Sequence, residues 1–171
     1  MTEYFKIGKF VGTFGIKGEL VLKHNLGKKT SLKGLKAIFI EERKESFIPW
    51  FIENSKIKNG EEIFLKLEGI NVREQAIKLT QKEAWLPEEE FKKYAAKTSP
   101  INLLGYDIIE GERVLGKILE VIEQQHQILC RIEFNDREAY IPLHQETIQK
   151  IDNKKQQVIV SLPPGLLEIY R

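Results

Sequence analysis

The sequence predicts an all-β protein built as two small β-barrels in tandem, with one or two short helices. Three observations predict it. Apolar residues recur mostly at period two, in short runs rich in Val, Ile and Phe. Helical spacing is confined to short stretches around 72–82 and after Pro87, far too little to cover both faces of an open sheet. Closing each sheet on itself buries one face and removes the edges. Finally, Ala95-Ala96-Lys97-Thr98-Ser99-Pro100 interrupts all periodicity with small and polar residues ending in proline, a linker signal. The expected organisation is a first domain over 1–95, a linker over 96–100 and a second domain over 101–171. Each part of the 171-residue chain is small but large enough to bury one core.

In the first part, Tyr4–Thr13, Glu19–His24, Ala37–Glu41, Phe47–Ile57 and Ile63–Glu68 read as strands. Lys58-Asn59-Gly60 reads as a turn, because Asn-Gly tolerates positive φ. Val72, Ala76, Ile77 and Leu79 fall near helical spacing, which predicts a helix over 72–82 with Asn71 as its N-cap. Ala84–Leu86 is a short strand. Pro87 then opens a second short helix, whose first turn carries Glu88, Glu89 and Glu90 against the positive helix end. In the second part, Gly105–Ile109, Val114–Glu123, Ile128–Asn135, Arg137–Pro142 and Gln157–Leu162 read as strands. Glu110-Gly111, Asn135-Asp136 and Asp152-Asn153-Lys154 read as turns.

Composition narrows the class of protein. Hydrophobic content of 42% with 30% charged residues reads as soluble and globular. No window is long and apolar enough for a membrane span, and Met1-Thr2-Glu3-Tyr4-Phe5-Lys6 does not read as an export signal. A single cysteine, Cys130, excludes an internal disulfide framework and fits a reducing compartment, so a cytoplasmic location is expected. The net charge of +2 is unevenly spread: residues 1–97 carry +5 and residues 98–171 carry −3. Residues 1–36 alone hold eight Lys against two Glu. A basic first part joined to an acidic second part suggests two surfaces with different partners.

Signals for catalysis or metal binding are missing. His24, His126 and His144 match no zinc spacing. Cys130, in Ile128-Leu129-Cys130-Arg131-Ile132, reads as a buried structural thiol. No nucleophile elbow and no acidic pair on a recognisable scaffold is present. No metal and no cofactor is expected. The glycines Gly8, Gly12, Gly15 and Gly18 lead into Glu19-Leu20-Val21-Leu22-Lys23, which alternates like a strand and not like the helix a phosphate loop requires. They read as a structural turn or a close backbone approach. Such a loop on a rigid barrel would present Phe14 and Lys17, a ring for stacking on an unpaired base beside an ammonium for phosphate.

The segment Ile7-Gly8-Lys9-Phe10-Val11-Gly12-Thr13-Phe14-Gly15-Ile16-Lys17-Gly18-Glu19-Leu20 resembles the N-terminal signature of the ribosome maturation factor RimM family. Leu104-Gly105, Leu115-Gly116-Lys117-Ile118, Tyr140-Ile141-Pro142, Ile151-Asp152 and Pro163-Pro164-Gly165-Leu166-Leu167 are similar to that family's PRC-barrel domain. Order and spacing agree over essentially the whole chain. The resemblance implies a translation-factor-type barrel followed by a PRC barrel. It also implies binding near the head of the small ribosomal subunit, through a ribosomal protein of the S19 family and nearby ribosomal RNA. The implied role is to assist late 16S rRNA processing without catalysis. Two positions depart from the family pattern. Its usual His is Phe14 here, so a role needing an imidazole proton does not transfer. Its paired tyrosines before the second barrel fall at Thr98-Ser99, the nearest aromatics being Phe91 and Tyr94.

Lys9, Lys17, Lys23, Lys28 and Lys29 are the candidate RNA phosphate contacts, with Phe14 beside them. Leu103, Leu104, Tyr106, Tyr140 and Leu143 are candidate anchors for a basic ribosomal protein, although core packing is the ordinary role for such residues. A monomer is expected. Two alternatives stay open: a split-barrel oxidoreductase holding flavin or another cofactor, since fold alone never fixes function, and an RNA-binding module without ribosome specificity.

Overall fold

The computed structural model describes residues 2–96, 100–125 and 127–170. They divide into two compact units, Met1–Ser99 and Pro100–Arg171.

In the first unit six strands form a closed antiparallel barrel. They are β1 (Tyr4–Phe14), β2 (Glu19–His24), β3 (Ala37–Arg43), β4 (Ser46–Ile57), β5 (Glu62–Leu67) and β6 (Glu83–Pro87), in the order β1-β2-β5-β4-β3-β6. The period-two pattern sets the inside. Leu20 pairs with Leu65 and Leu22 with Ile63, and all four are fully buried beside Ile7, Phe10, Ile38, Leu67 and Leu86. Each such side chain stabilises the fold by roughly 1.5–3 kcal/mol through burial. All five predicted strands and Ala84–Leu86 are present, with ends moved by a residue or two.

Between β5 and β6 the helix α1 (Arg73–Ile77) is shorter than predicted and buries Ala76. Asn71 is not its cap. The N-cap position is Val72, and the Gln75 side-chain oxygen accepts the backbone N–H of Asn71 at 2.7 Å and of Val72 at 3.3 Å. Asn71 Oδ1 instead accepts from Lys66 Nζ at 3.1 Å. The helical spacing of residues 78–82 is used by successive turns, with Gln81 at φ +71°. After β6, Pro87 caps α2 (Glu88–Tyr94), as its proline and glutamates predict. This helix packs Phe91 edge-on against Phe5, with ring centroids 5.1 Å apart. Beyond α2 the Ala96 N–H donates to the Leu26 carbonyl at 2.8 Å. Lys97, Thr98 and Ser99 lie outside the described residues, and Pro100 already opens a 3-10 turn over Pro100–Leu103.

The second unit holds seven strands: β7 (Asp107–Glu110), β8 (Arg113–Lys117), β9 (Glu120–Gln124), β10 (Gln127–Phe134), β11 (Arg137–Leu143), β12 (Ile148–Asp152) and β13 (Gln157–Val160). They form two sheets, β11-β10-β9 and β12-β13-β7-β8, over a core that includes Ile108, Ile118, Cys130, Ile132, Ile141 and Val158. The predicted single strand over 114–123 is two. Ile118 N donates to the Tyr106 carbonyl and Leu119 N to the Arg131 carbonyl, so the chain leaves one sheet and joins the other between these neighbours. Gly116 allows the crowding beside this corner: a Cβ there would lie 2.9 Å from the Glu133 carbonyl oxygen. β12 was not among the predicted strands, and β13 pairs with β7 in parallel. A 3-10 turn over Leu167–Tyr170 follows β13.

Candidate nucleic-acid interface

The β1–β2 hairpin carries three of the five candidate lysines, Lys9, Lys17 and Lys23. Its tip is Gly15-Ile16-Lys17-Gly18, with Gly15 at φ +67° and Gly18 at φ +84°. Gly18 is required twice over, because a Cβ would also lie 2.6 Å from the Ile70 carbonyl oxygen. Gly8 and Gly12 are not in the turn; both sit within β1. Gly8 is needed for a close backbone approach: a Cβ would run into the Lys23 carbonyl and lie 2.8 Å from His24 Cα. Gly12 stands where the β1–β2 register slips between Phe10 and Gly12.

Phe14 is half exposed, but its ring tilts onto Phe64 with centroids 4.5 Å apart, so only part of its surface is open to a base. Ile16 beside it is 79% exposed. The lysines do not share one end of the barrel. Lys17 lies beyond the Phe14–Glu19 pair, while Lys28 and Lys29 follow the Gly8–His24 pair at the other end of the hairpin. At roughly 3.3 Å per residue along a strand, those two pairs are on the order of 20 Å apart. The structure brings Lys9 and Lys23 together instead, as direct cross-strand partners on the outer face.

That pair borders a pocket of about 270 Å³ lined by Lys6, Gly8, Lys9, Val11, Lys23, His24, Asn25 and Glu83. Lys6 pairs with Glu83 at 3.6 Å. His24 is buried, and its Nδ1 accepts the Leu26 N–H at 3.2 Å. Burial pushes its imidazole below the ordinary range, partly offset by the charge of Glu61. Lys6, His24, Asn25 and Glu83 were not among the predicted site residues. Their proximity depends on ladder register and on two slips in β1, and neither is written in the local pattern.

In the second unit the proposed anchors separate. Leu104 and Leu143 are core residues, 4% and 2% exposed, and cannot anchor a partner. Leu103 and Tyr106 are half-buried, with the Tyr106 hydroxyl donating to Asn153 Oδ1 at 3.0 Å. Tyr140 points away from the core on β11, beside Arg131, whose guanidinium pairs with Glu120 at 3.0 Å and Glu138 at 3.5 Å. Phe91 is buried in the first unit, and the Tyr94 hydroxyl donates to the Lys33 carbonyl at 2.8 Å. Both are thus committed to local packing. Thr98 and Ser99, where the family's paired tyrosines would fall, are outside the described residues, as is His126. Cys130 is buried, which pushes its thiol up to about 12. Among the described residues no group of three or more His, Cys, Asp or Glu could hold a metal ion, and no helix is long and apolar enough to cross a membrane.

Comparison with known proteins covers both units. Residues 5–91 match the model of the RimM N-terminal domain, and residues 100–166 match that of the RimM PRC barrel domain. The chain belongs to the RimM family. A RimM relative from Azobacteroides pseudotrichonymphae is 32% identical, over 96% of this chain and 97% of its own. One from Christiangramia forsetii is 28% identical, over 98% and 97%. Both are named ribosome maturation factor RimM. A crystal structure of a Pseudomonas aeruginosa RimM protein aligns over 94% of this chain and 98% of its own, at 22% identity and a TM-score of 0.42.

Proposed function

We propose that this protein is a non-catalytic ribosome assembly factor that binds the small subunit and assists maturation of its 16S rRNA. The observation that carries this is the match to RimM relatives along nearly the whole chain, through both units. A binding factor promotes assembly only by its differential affinity for two states of the target. The exposed lysines of the first unit suit the RNA phosphates. The acidic second unit suits a basic ribosomal protein, for which we propose one of the S19 family in the subunit head, with the half-buried Tyr140 as an anchor. The protein acts in this reading as a cytoplasmic monomer.

Co-sedimentation with small subunits across a salt series tests this reading. Charge reversal at Lys17→Glu and Lys28→Glu, both exposed, should weaken association and leave the fold intact. Each lost phosphate contact should flatten the salt dependence by roughly 0.7–0.9 units of slope. Association unchanged at every salt concentration would remove RNA contact from the proposal.

A further inference from the structure

The outer faces of β1 and β2 carry a pair of facing lysines whose charge the fold compensates only in part. One row across the barrel reads Glu62, Lys23, Lys9, Glu83 on β5, β2, β1 and β6. In that order each lysine has a carboxylate at its side; Lys23 acts on Glu62 through space, but neither carboxylate makes an ion pair with its neighbouring lysine among the described residues. Glu62 takes Lys58 at 3.3 Å and Asn59 Nδ2 at 2.8 Å. Glu83 takes Lys6 at 3.6 Å. Lys9 and Lys23 are left facing each other without an ion pair among the described residues. Like charges directly opposite on a ladder are destabilising. An anion between them reverses that sign.

The backbone makes room for one. β1 slips register against β6 between Lys6 and Gly8, and against β2 between Phe10 and Gly12. Such slips bend a strand and re-aim its side chains. Gly8 lines the resulting pocket, and its missing side chain lets β1 lie close against the Lys23–His24 backbone. Three ammonium groups and one carboxylate line it, an excess of two positive charges. At about 270 Å³ it falls just under the range of roughly 300–1,000 Å³ of drug-sized sites. That is room for a phosphate and part of its sugar.

Two of the residues that line it also hold buried polar atoms without hydrogen-bond partners among the described residues. His24 Nδ1 accepts the Leu26 N–H, so the neutral ring carries its proton on Nε2. That Nε2 is buried with no acceptor, and Asn25 Oδ1 is buried with no donor. A buried N–H without an acceptor is costly, and a charged oxygen is the strongest acceptor available to it.

We propose that this pocket seats a single phosphate group of an RNA strand, held by Lys9 and Lys23 with Lys6 and His24 beside them. This rests on the RNA-contacting reading above and gives it one defined seat, distinct from the dispersed charges of Lys17, Lys28 and Lys29.

The test uses the full-length protein, with inorganic phosphate and a short single-stranded RNA as probes. The pocket variant is Lys9→Gln with Lys23→Gln; the control is Lys28→Gln with Lys29→Gln. All four lysines are exposed, so both variants should keep the wild-type melting temperature. Inorganic phosphate should shift the amide resonances of Lys9 and Lys23 and the His24 ring in wild type and control, and not in the pocket variant. The salt slope of RNA binding should fall by roughly 1.4 in the pocket variant, for two contacts to a single strand. The proposal is overturned if phosphate moves none of these resonances in wild type, if the shifts persist in the pocket variant, or if its RNA slope is unchanged. Failure of the wild type to bind small subunits, with the phosphate shifts present, would overturn the assembly reading and leave the pocket standing.

Discussion

The hydroxyl of Tyr170 lies 3.3 Å from the backbone N of Tyr140 and 3.5 Å from its carbonyl oxygen, so one phenol engages both main-chain groups of an edge-strand residue. Open strand edges are templates for unwanted pairing, and a covering side chain is one way of blunting them. Removing the hydroxyl with Tyr170→Phe keeps the ring and loses both bonds. One net hydrogen bond is worth about 1 kcal/mol. Exchange of the Tyr140 amide hydrogen should therefore accelerate roughly five-fold with little change in global melting. An unaltered exchange rate would show that the phenol does not hold that edge.

The two glycines at the tip of the β1–β2 hairpin should differ under the same substitution. Gly15→Ala meets open space and costs only the left-handed backbone, about 1–2 kcal/mol. Gly18→Ala adds a collision with the Ile70 carbonyl at 2.6 Å and should lose appreciably more, seen as a lower urea midpoint at unchanged slope. Equal midpoints for the two variants would contradict the close approach.

Cys130 should be chemically silent in the native state. Its thiol, pushed up to about 12 by burial, has almost no thiolate at neutral pH, and thiolate is the reacting form. Alkylation at mildly basic pH should follow the unfolding rate and accelerate sharply in denaturant. Fast labelling of folded protein would place the thiol at the surface.

His24 should make stability pH-dependent. Its folded pKa lies below the ordinary 6.5, so the unfolded chain binds the proton more readily. Stability contributed by the neutral ring is therefore complete above that value and declines as pH falls from there toward the lower folded pKa. His24→Asn retains an acceptor for the Leu26 N–H and removes the titration. Melting temperatures measured between neutral and mildly acidic pH should fall less in this variant than in wild type; parallel curves would exclude His24 as the source.

Strands with strict alternation were legible from sequence because one buried face dictates their register. Glu19–His24 needed no correction, and Asn135-Asp136, at φ +51° and +62°, forms the tight turn its residue types announce. The turn at Lys58-Asn59-Gly60 was found for the wrong reason: neither Asn59 nor Gly60 has positive φ, and the Asn59 side chain holds it by accepting the Glu61 N–H at 2.9 Å. The split of Val114–Glu123 escaped because a strand that changes sheets keeps its apolar residues across the corner. For the site, residue type alone selected Lys9 and Lys23. Their pairing, and the pocket they share with His24, arise from slips between strands distant in sequence. Leu104 and Leu143 were selected as anchors by chemistry that equally describes a core.

The parallel pairing of β13 with β7 has a consequence for synthesis. Residues 107–110 pair on one side with the nearby β8 but find their other neighbour only at 157–160, so the second unit stays open along that seam until residue 160 has been made. The barrel before it has every strand in hand by Pro87. Domains fold as units and in order of emergence, so a stalled or truncated polypeptide would carry a finished head and an unsealed tail, with Ile108 and Val158 bared to proteases and chaperones.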